Sequence, residues 1–184
     1  MAPNPVSTAR HTPARSLTNQ QHNRPFNHVG LSVSDIEATV AWYSETVGFR
    51  LIGPIVHIKR SEKPDDGIFQ IYPDNLNEVK LAKMTTGNGV GFELFEFINP
   101  GFESAGTFEQ QFQRGGFFHI CITDPDPETL AARVKAAGGS QAGKTIDPTG
   151  RGEMTVMYLK DPWGNVIEVT DVGFEYMACR EVLA

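Results

Sequence analysis

The sequence has few cysteines, no long apolar run and no excess of basic residues. Its two cysteines, Cys121 and Cys179, lie far apart and match no metal-binding or redox spacing. We therefore expect no disulfide framework and a reducing compartment, the cytoplasm. No apolar run approaches the roughly 18–20 residues that cross a bilayer. The net charge of −6 indicates no surface for nucleic acid or an anionic membrane.

Length and composition favour one globular domain with terminal tails. The chain has 184 residues, 40% of them hydrophobic, which is enough for a sizeable core. Residues 1–25 contain no Asp or Glu and few apolar side chains, so they are predicted to form a disordered tail. An acid-free start is also typical of transit peptides, and import into an organelle stays open as an alternative. Residues 175–184 are predicted to be a C-terminal tail.

Two segments of the chain repeat the same order of residues. "HVGLSVSDIEATVAWYSETVG" begins at His28, and "HICITDPDPETLAARVKAAGG" begins at His119. Each has an Asp seven residues after the His and a Glu two residues further on, and each ends at a Gly. A fixed internal pattern of this kind indicates two copies of one structural unit.

Each copy reads as a strand, an amphipathic helix and three further strands. Ser34 and Glu37 have capping-box spacing at the first helix, whereas Asp126 and Pro127 suit the start of the second. The pattern predicts an α+β fold with two βαβββ modules, module one over residues 26–100 and module two over 115–174. Residues 65–78 are predicted to be an extra loop or short helix within module one.

The last strand of each module contains one acid between apolar neighbours. Because side chains alternate along a strand, Glu93 and Glu168 point away from those neighbours, into solvent or a polar cavity. Taken singly, a strand His is usually structural and a strand Glu usually solvated. A pseudo-twofold between the modules would bring His28, Glu93, His119 and Glu168 together. This N/O set suits Zn, Ni, Co, Mn or Fe(II), and without thiolates it favours an open, catalytic site.

The same residues resemble the vicinal oxygen chelate superfamily, the glyoxalase/bleomycin-resistance/dioxygenase group. The segments that carry the likeness are "FNHVGLSVSDIEATVAWYSETVGFRLI", "FFHICITDPDPETLAARVKAAGG" and "MYLKDPWGNVIEVTD". The resemblance covers about residues 26–172. It implies paired modules that form a curved mixed sheet around a metal-binding cavity. The ligands of such proteins correspond here to His28, Glu93, His119 and Glu168.

Subgroups of this superfamily differ at positions that can be compared. Glyoxalase I enzymes have an Arg for glutathione where this chain has Ser32. Extradiol ring-cleaving dioxygenases have a Tyr ten residues before the last glutamate, a position that Tyr158 occupies. Methylmalonyl-CoA epimerase-like members are the most similar in style, through "EVKLAKMTTGNGVGFELFEF". That similarity implies a coenzyme A thioester as one substrate class.

We therefore expect a metal-dependent isomerase, epimerase or lyase that removes a proton next to a carbonyl of a small molecule. Glu93 or Glu168 would be the base, and Tyr158 would orient the substrate or donate a proton. Ser32 and Cys121 are predicted to border the substrate, and Arg151 to meet an anionic group at the mouth of the site. A homodimer is expected. The alternatives are an Fe(II) ring-cleaving dioxygenase and a metal-free binding or resistance protein.

Overall fold

The structure, a computed structural model, describes residues 24–181. Almost all of the predicted N-terminal tail therefore lies outside the described residues. The strands are β1 (His28–Ser32), β2 (Arg50–Leu51), β3 (Val56–Lys59), β4 (Glu78–Thr85), β5 (Gly91–Asn99), β6 (Ile120–Thr123), β7 (Ser140–Ile146), β8 (Val156–Lys160) and β9 (Val166–Thr170). The helices are α1 (Ile36–Trp42), α2 (Ile68–Ile71), α3 (Phe108–Gln111), α4 (Pro127–Ala136) and α5 (Phe174–Glu181).

The strands form two open mixed sheets, one in each module. In module one the order is β1-β5-β4-β2, and β3 also pairs with β4, so that two short strands share the place of one long strand. In module two the order is β6-β9-β8-β7. In both sheets the first strand runs parallel to the last, and the remaining pairs are antiparallel. The predicted α+β class with two βαβββ units is confirmed.

The helix that follows the first strand of each module is capped by an aspartate. Asp126 accepts a hydrogen bond from the Thr129 backbone, as predicted, and Pro127 occupies the first helical position. At α1 the predicted capping box is wrong, because Asp35 rather than Ser34 is the N-cap. The Glu37 carboxylate instead accepts a hydrogen bond from Lys80 Nζ on β4, at 2.9 Å. After Trp42 the helix continues as a π-helical turn.

One core holds the two modules together. Residues on the inner face of both sheets and on the buried face of α1 and α4 belong to the same buried cluster. Trp42 Nε1 donates to the Ala137 carbonyl at 2.9 Å, and the Tyr43 hydroxyl donates to Asp161 Oδ2 at 3.0 Å. Both contacts join module one to module two. Because one face of each sheet is buried in this core, the polar residues of β5 and β9 lie on the opposite faces.

Three segments lie outside the repeated units. Within module one, α2 belongs to the predicted insertion, and Phe69 and Leu76 pack with Ile58 and Val79 in a second small core. The connection between the modules contains α3, and α5 occupies most of the segment predicted as a C-terminal tail. Among residues 24–181, none of the helices is both long and apolar enough to cross a membrane.

Candidate active site

Each module brings one histidine and one glutamate together on the face of its sheet that points away from the core. His28 Nε2 lies 3.5 Å from Glu93 Oε2, and His119 Nε2 lies 3.0 Å from Glu168 Oε2. In the parallel ladders Gly30 is opposite Glu93, and Cys121 is opposite Glu168. Each histidine therefore stands two residues before the strand partner of its glutamate, which is the same diagonal geometry in both modules.

The distances within the two pairs fit two ligands of one ion. Metal–ligand bonds of about 2.1 Å separate neighbouring ligand atoms by about 3.0 Å at a right angle and about 3.4 Å at a tetrahedral angle. The pairs show 3.0 Å and 3.5 Å. Imidazole nitrogen with carboxylate oxygen is also a donor set that divalent first-row metals accept. The residues present therefore fit a metal, with each pair as half of a ligand set.

The surroundings of His28 suit a ligating Nε2. Its Nδ1 lies 2.7 Å from Asn27 Oδ1, and a proton donated there leaves the Nε2 lone pair free. Gly91 is opposite His28 in the ladder, and a Cβ at Gly91 would come within 2.8 Å of the His28 Cβ. A side chain at position 91 would thus displace the imidazole. Around His119, Nδ1 is buried without a hydrogen-bond partner among the described residues.

The four predicted ligands form two pairs rather than one cluster. Over residues 24–181, no group of three or more His, Cys, Asp or Glu side chains is close enough to hold a metal ion. The predicted convergence of the four within a single chain is therefore not seen among these residues. Convergence depends on how sheet faces approach one another, which the pattern within each module does not specify.

Two predicted site residues flank Glu168. Tyr158 on β8 and Cys121 on β6 are each opposite Glu168 in the neighbouring ladders. The Tyr158 ring lies 5.4 Å from the His119 ring, between centroids. Desolvation, followed by the nearby Glu168 carboxylate, raises the pKa of Tyr158 and raises the pKa of Cys121 to about 12. Both groups therefore stay neutral near pH 7, and each can donate a hydrogen bond to an oxygen beside Glu168.

The raised pKa of Cys121 predicts a slow thiol, since only the thiolate is nucleophilic. In metal-free protein carrying Cys179→Ser, iodoacetamide should modify Cys121 at least a hundredfold more slowly than a free cysteine at neutral pH. Glu168→Gln should speed the reaction, because it removes a neighbouring negative charge. Modification is followed by mass spectrometry. Equal rates with and without Glu168→Gln would show that the Glu168 charge does not contribute to the raised pKa of Cys121, which would then be due to desolvation.

The remaining predicted residues lie on β1 and in a loop of module two. Ser32 lies on β1, in the same alternation as His28, on the outer face. Arg151 lies in the loop between β7 and β8, where its Nε and Nη2 donate to the two Glu153 carboxylate oxygens at 3.0 and 3.1 Å. Its guanidinium is therefore already paired.

Aromatic residues beside both pairs were missed by the sequence pattern. Phe118 lies edge-on to the His119 ring at 4.6 Å, and Phe108 of α3 lies edge-on to Tyr158 at 5.9 Å. In module one Tyr72 packs on Phe95. Desolvation, and to a smaller extent the Glu93 carboxylate, raises the pKa of Tyr72. Phe108 and Phe118 come from the connection and Tyr72 comes from the insertion, and neither segment has a repeated counterpart. The run "GGFFH" was the only available signal.

Comparisons with known proteins agree with this architecture. A family model described as Glyoxalase/Bleomycin resistance protein/Dioxygenase superfamily matches residues 26–169. An ethylmalonyl-CoA/methylmalonyl-CoA epimerase of Cereibacter sphaeroides is 29% identical over 148 residues, which cover 79% of this chain and 96% of that protein. A lactoylglutathione lyase of Pseudomonas aeruginosa is 28% identical over 163 residues, covering 80% and 82% of the two chains.

Solved structures share the fold at lower identity. A glyoxalase family protein of Bacillus cereus superposes with a TM-score of 0.67 at 17% identity, over 84% of this chain and 97% of the other. Glyoxalase I of Zea mays superposes with a TM-score of 0.55 at 21% identity, over 80% of this chain and 44% of the maize protein. At these identities the likeness concerns the fold.

Proposed function

The chain belongs to the glyoxalase/bleomycin resistance protein/dioxygenase superfamily, and on that premise we propose that it is a metal-dependent isomerase, epimerase or lyase. Its reaction removes a proton from a carbon next to a carbonyl of a small molecule. The observation that carries the proposal is the repeated His–Glu pair, with the same strand offset in both modules. Two such pairs supply two imidazoles and two carboxylates, a set that holds a divalent ion with room for substrate oxygens.

The chemistry divides between the bound ion and the side chains. A divalent ion held by His28, Glu93, His119 and Glu168 would supply positive charge to stabilise the negative oxygen that develops as the C–H bond ionises. One glutamate accepts the proton and returns it to the same or a neighbouring carbon. Tyr158 stays protonated and directs its hydroxyl to a substrate oxygen. Phe118 packs against His119 and Phe108 packs against Tyr158, so both add apolar surface beside this pair.

The epimerase relative suggests the first substrate class to test. That protein's name specifies ethylmalonyl-CoA and methylmalonyl-CoA, thioesters whose acidic C–H lies next to a carbonyl. The lyase relative suggests lactoylglutathione, but Ser32 does not provide the positive charge that would favour a glutathione carboxylate. We therefore place acyl-CoA thioesters before glutathione thioesters as substrates.

We further propose that the site is completed in a homodimer, where the His28–Glu93 pair of one copy (pair one) meets the His119–Glu168 pair of the other copy (pair two). Mixing two double variants tests this proposal. His28→Ala/Glu93→Gln and His119→Ala/Glu168→Gln should each bind no metal in the site, whereas the mixture should regain one site per heterodimer. A site within one chain would regain none on mixing.

Metal analysis of the purified parent protein tests the function itself. We expect a stoichiometric divalent metal that is lost in His119→Ala, together with exchange of the α-proton of a thioester for solvent deuterium. Absence of metal from parent and variant alike would reject the metal site and favour a binding protein without metal.

Ring cleavage is a second candidate, favoured by the position of Tyr158. Its ring adjoins His119 and its backbone pairs with Glu168, which places a phenol beside pair two. The test is oxygen consumption by Fe(II)-loaded protein with catechols. Oxygen uptake with ring-cleaved product would support the dioxygenase, whereas proton exchange without oxygen uptake supports the isomerase or lyase.

A further inference from the structure

The connection between the modules folds over the sheet face that carries His119. Phe108 and Phe118 contact Tyr158 and His119, as described above. The segment is also held by charge, because Lys160 Nζ on β8 donates to Glu109 Oε1 at 3.0 Å. Residues 105–118 therefore form a cover on module two, which we call the aromatic cover. The segment therefore covers part of the module two sheet as well as linking the two modules.

A cavity of about 330 Å³ lies between the aromatic cover and the first strand of module one. Its volume is near the lower end of the range for small-molecule sites. Its apolar walls include Leu31, Phe108 and Phe118, and His119 forms another wall. The cavity therefore adjoins His119, one of the two predicted metal ligands of module two.

Arg114 gives this cavity its electrostatic character. No carboxylate is among the residues that line the cavity, and Arg114 forms no ion pair with any residue in the described part of the chain. The chain as a whole is acidic, with a net charge of −6. A guanidinium that lines a cavity with apolar walls, and that has no ion-pair partner in the described part of the chain, is suited to a carboxylate attached to an apolar body.

We propose that this cavity is the subsite for an organic anion with an apolar body, and that Arg114 binds its anionic group. The proposal deepens the proposed function and rests on it, since His119 at the wall would bring the compound to the metal pair. Phe108 and Phe118 would enclose the apolar body. Within the proposed thioester class, this narrows the acyl group to one that carries both a carboxylate and an apolar group.

Probe binding to the metal-free, full-length protein tests the subsite without relying on turnover. Phenylacetate, the uncharged phenylacetamide and acetate are titrated while ¹H–¹⁵N spectra are recorded. We expect saturable shifts at the Gly106 and Gly115 amides with phenylacetate, and affinities at least tenfold weaker for the other two probes. Arg114→Gln should weaken phenylacetate binding at least tenfold, whereas Arg133→Gln on the exposed face of α4 should not.

The outcomes separate this proposal from the metal-site proposal. Equal binding of phenylacetate to Arg114→Gln and parent, or shifts confined to other regions, would overturn the subsite. Phe118→Ala should weaken phenylacetate binding more than acetate binding, and an equal effect on both would overturn the role of Phe118 as a wall for the apolar body. His28→Ala/Glu93→Gln should lose metal but keep phenylacetate shifts. If the parent protein binds metal but not phenylacetate, the proposed function stands and the subsite is rejected. If it binds phenylacetate but no metal, the proposed function is rejected.

Discussion

Replacing Glu168 by Gln should lower the rate constant for proton exchange by about 10²- to 10⁴-fold, the usual contribution of a general base. Glu168 is the more enclosed of the two carboxylates, with 13% of its side chain exposed against 22% for Glu93. Its strand neighbours Tyr158 and Cys121 stay neutral, whereas Lys83 Nζ lies 3.9 Å from Glu93. Glu93 is thus engaged by a lysine and, in the part of the chain that the structure describes, Glu168 is not, so Glu168 is the expected base.

Exchange of the α-proton of the accepted carbonyl compound with solvent deuterium, at saturating metal and substrate, measures this effect. Saturating metal separates loss of the base from weaker binding of the ion. Glu93→Gln should mainly weaken metal binding and recover much of its rate at high metal concentration. Glu175→Gln, on exposed α5, serves as the control and should match the parent. A normal rate for Glu168→Gln beside a lost rate for Glu93→Gln would assign the base to Glu93.

The repeated pattern predicted the part of the site that a single module determines. Strand alternation placed Glu93 and Glu168 on the face away from Phe92, Leu94, Ile167 and Val169, and the ladders bring each glutamate to the histidine of its own module. This was predictable because the first and last strands of the unit are neighbours. How two modules face each other depends on surfaces that carry no periodic signal.

The turn "DPWGN" shows a second limit. It lies in one of the segments that carry the family resemblance, but its physical role depends on Tyr43, which is 118 residues away from Asp161. Asp161 also accepts hydrogen bonds from the backbone of Trp163 and from the backbone and side chain of Asn165. The carboxylate therefore folds its own turn and anchors module one. A local pattern could reveal the turn but not its distant partner.

Asp161→Ala should lower the free energy of unfolding by about 3–5 kcal/mol, because several donors lose one buried acceptor. Asp161 is only 3% exposed, and the Tyr43 hydroxyl that donates to it is likewise buried. Tyr43→Phe should cost less, about 1.5–3 kcal/mol, since it removes a single hydrogen bond to a charged group. The two tryptophans, Trp42 and Trp163, lie at this junction with centroids 6.4 Å apart, so their fluorescence in urea reports the loss of structure there.

The pH dependence of Asp161 provides a sharper test of the same contact. Burial raises the pKa of Asp161, so the stability linked to its titration is present below the ordinary value of 3.8 and is lost as pH rises through the raised value. Asp161→Asn does not titrate, and the stability difference between parent and variant should therefore be larger at about pH 4 than at about pH 7. The other carboxylates titrate in both proteins, so their contributions cancel in this stability difference.

Asp126→Asn is the matched control, because its stability difference from the parent should change with pH in the opposite direction. Hydrogen bonds from Thr129 lower the pKa of Asp126, so its contribution is present above 3.8 and is lost as pH falls through the lowered value. The difference in unfolding free energy between the parent and Asp126→Asn should therefore shrink on acidification, whereas the difference between the parent and Asp161→Asn should grow. Urea unfolding of the three proteins at both pH values measures the two trends. Parallel trends would show that the Asp161 carboxylate is not held in a desolvated junction, and the modules would then be joined mainly by their apolar core.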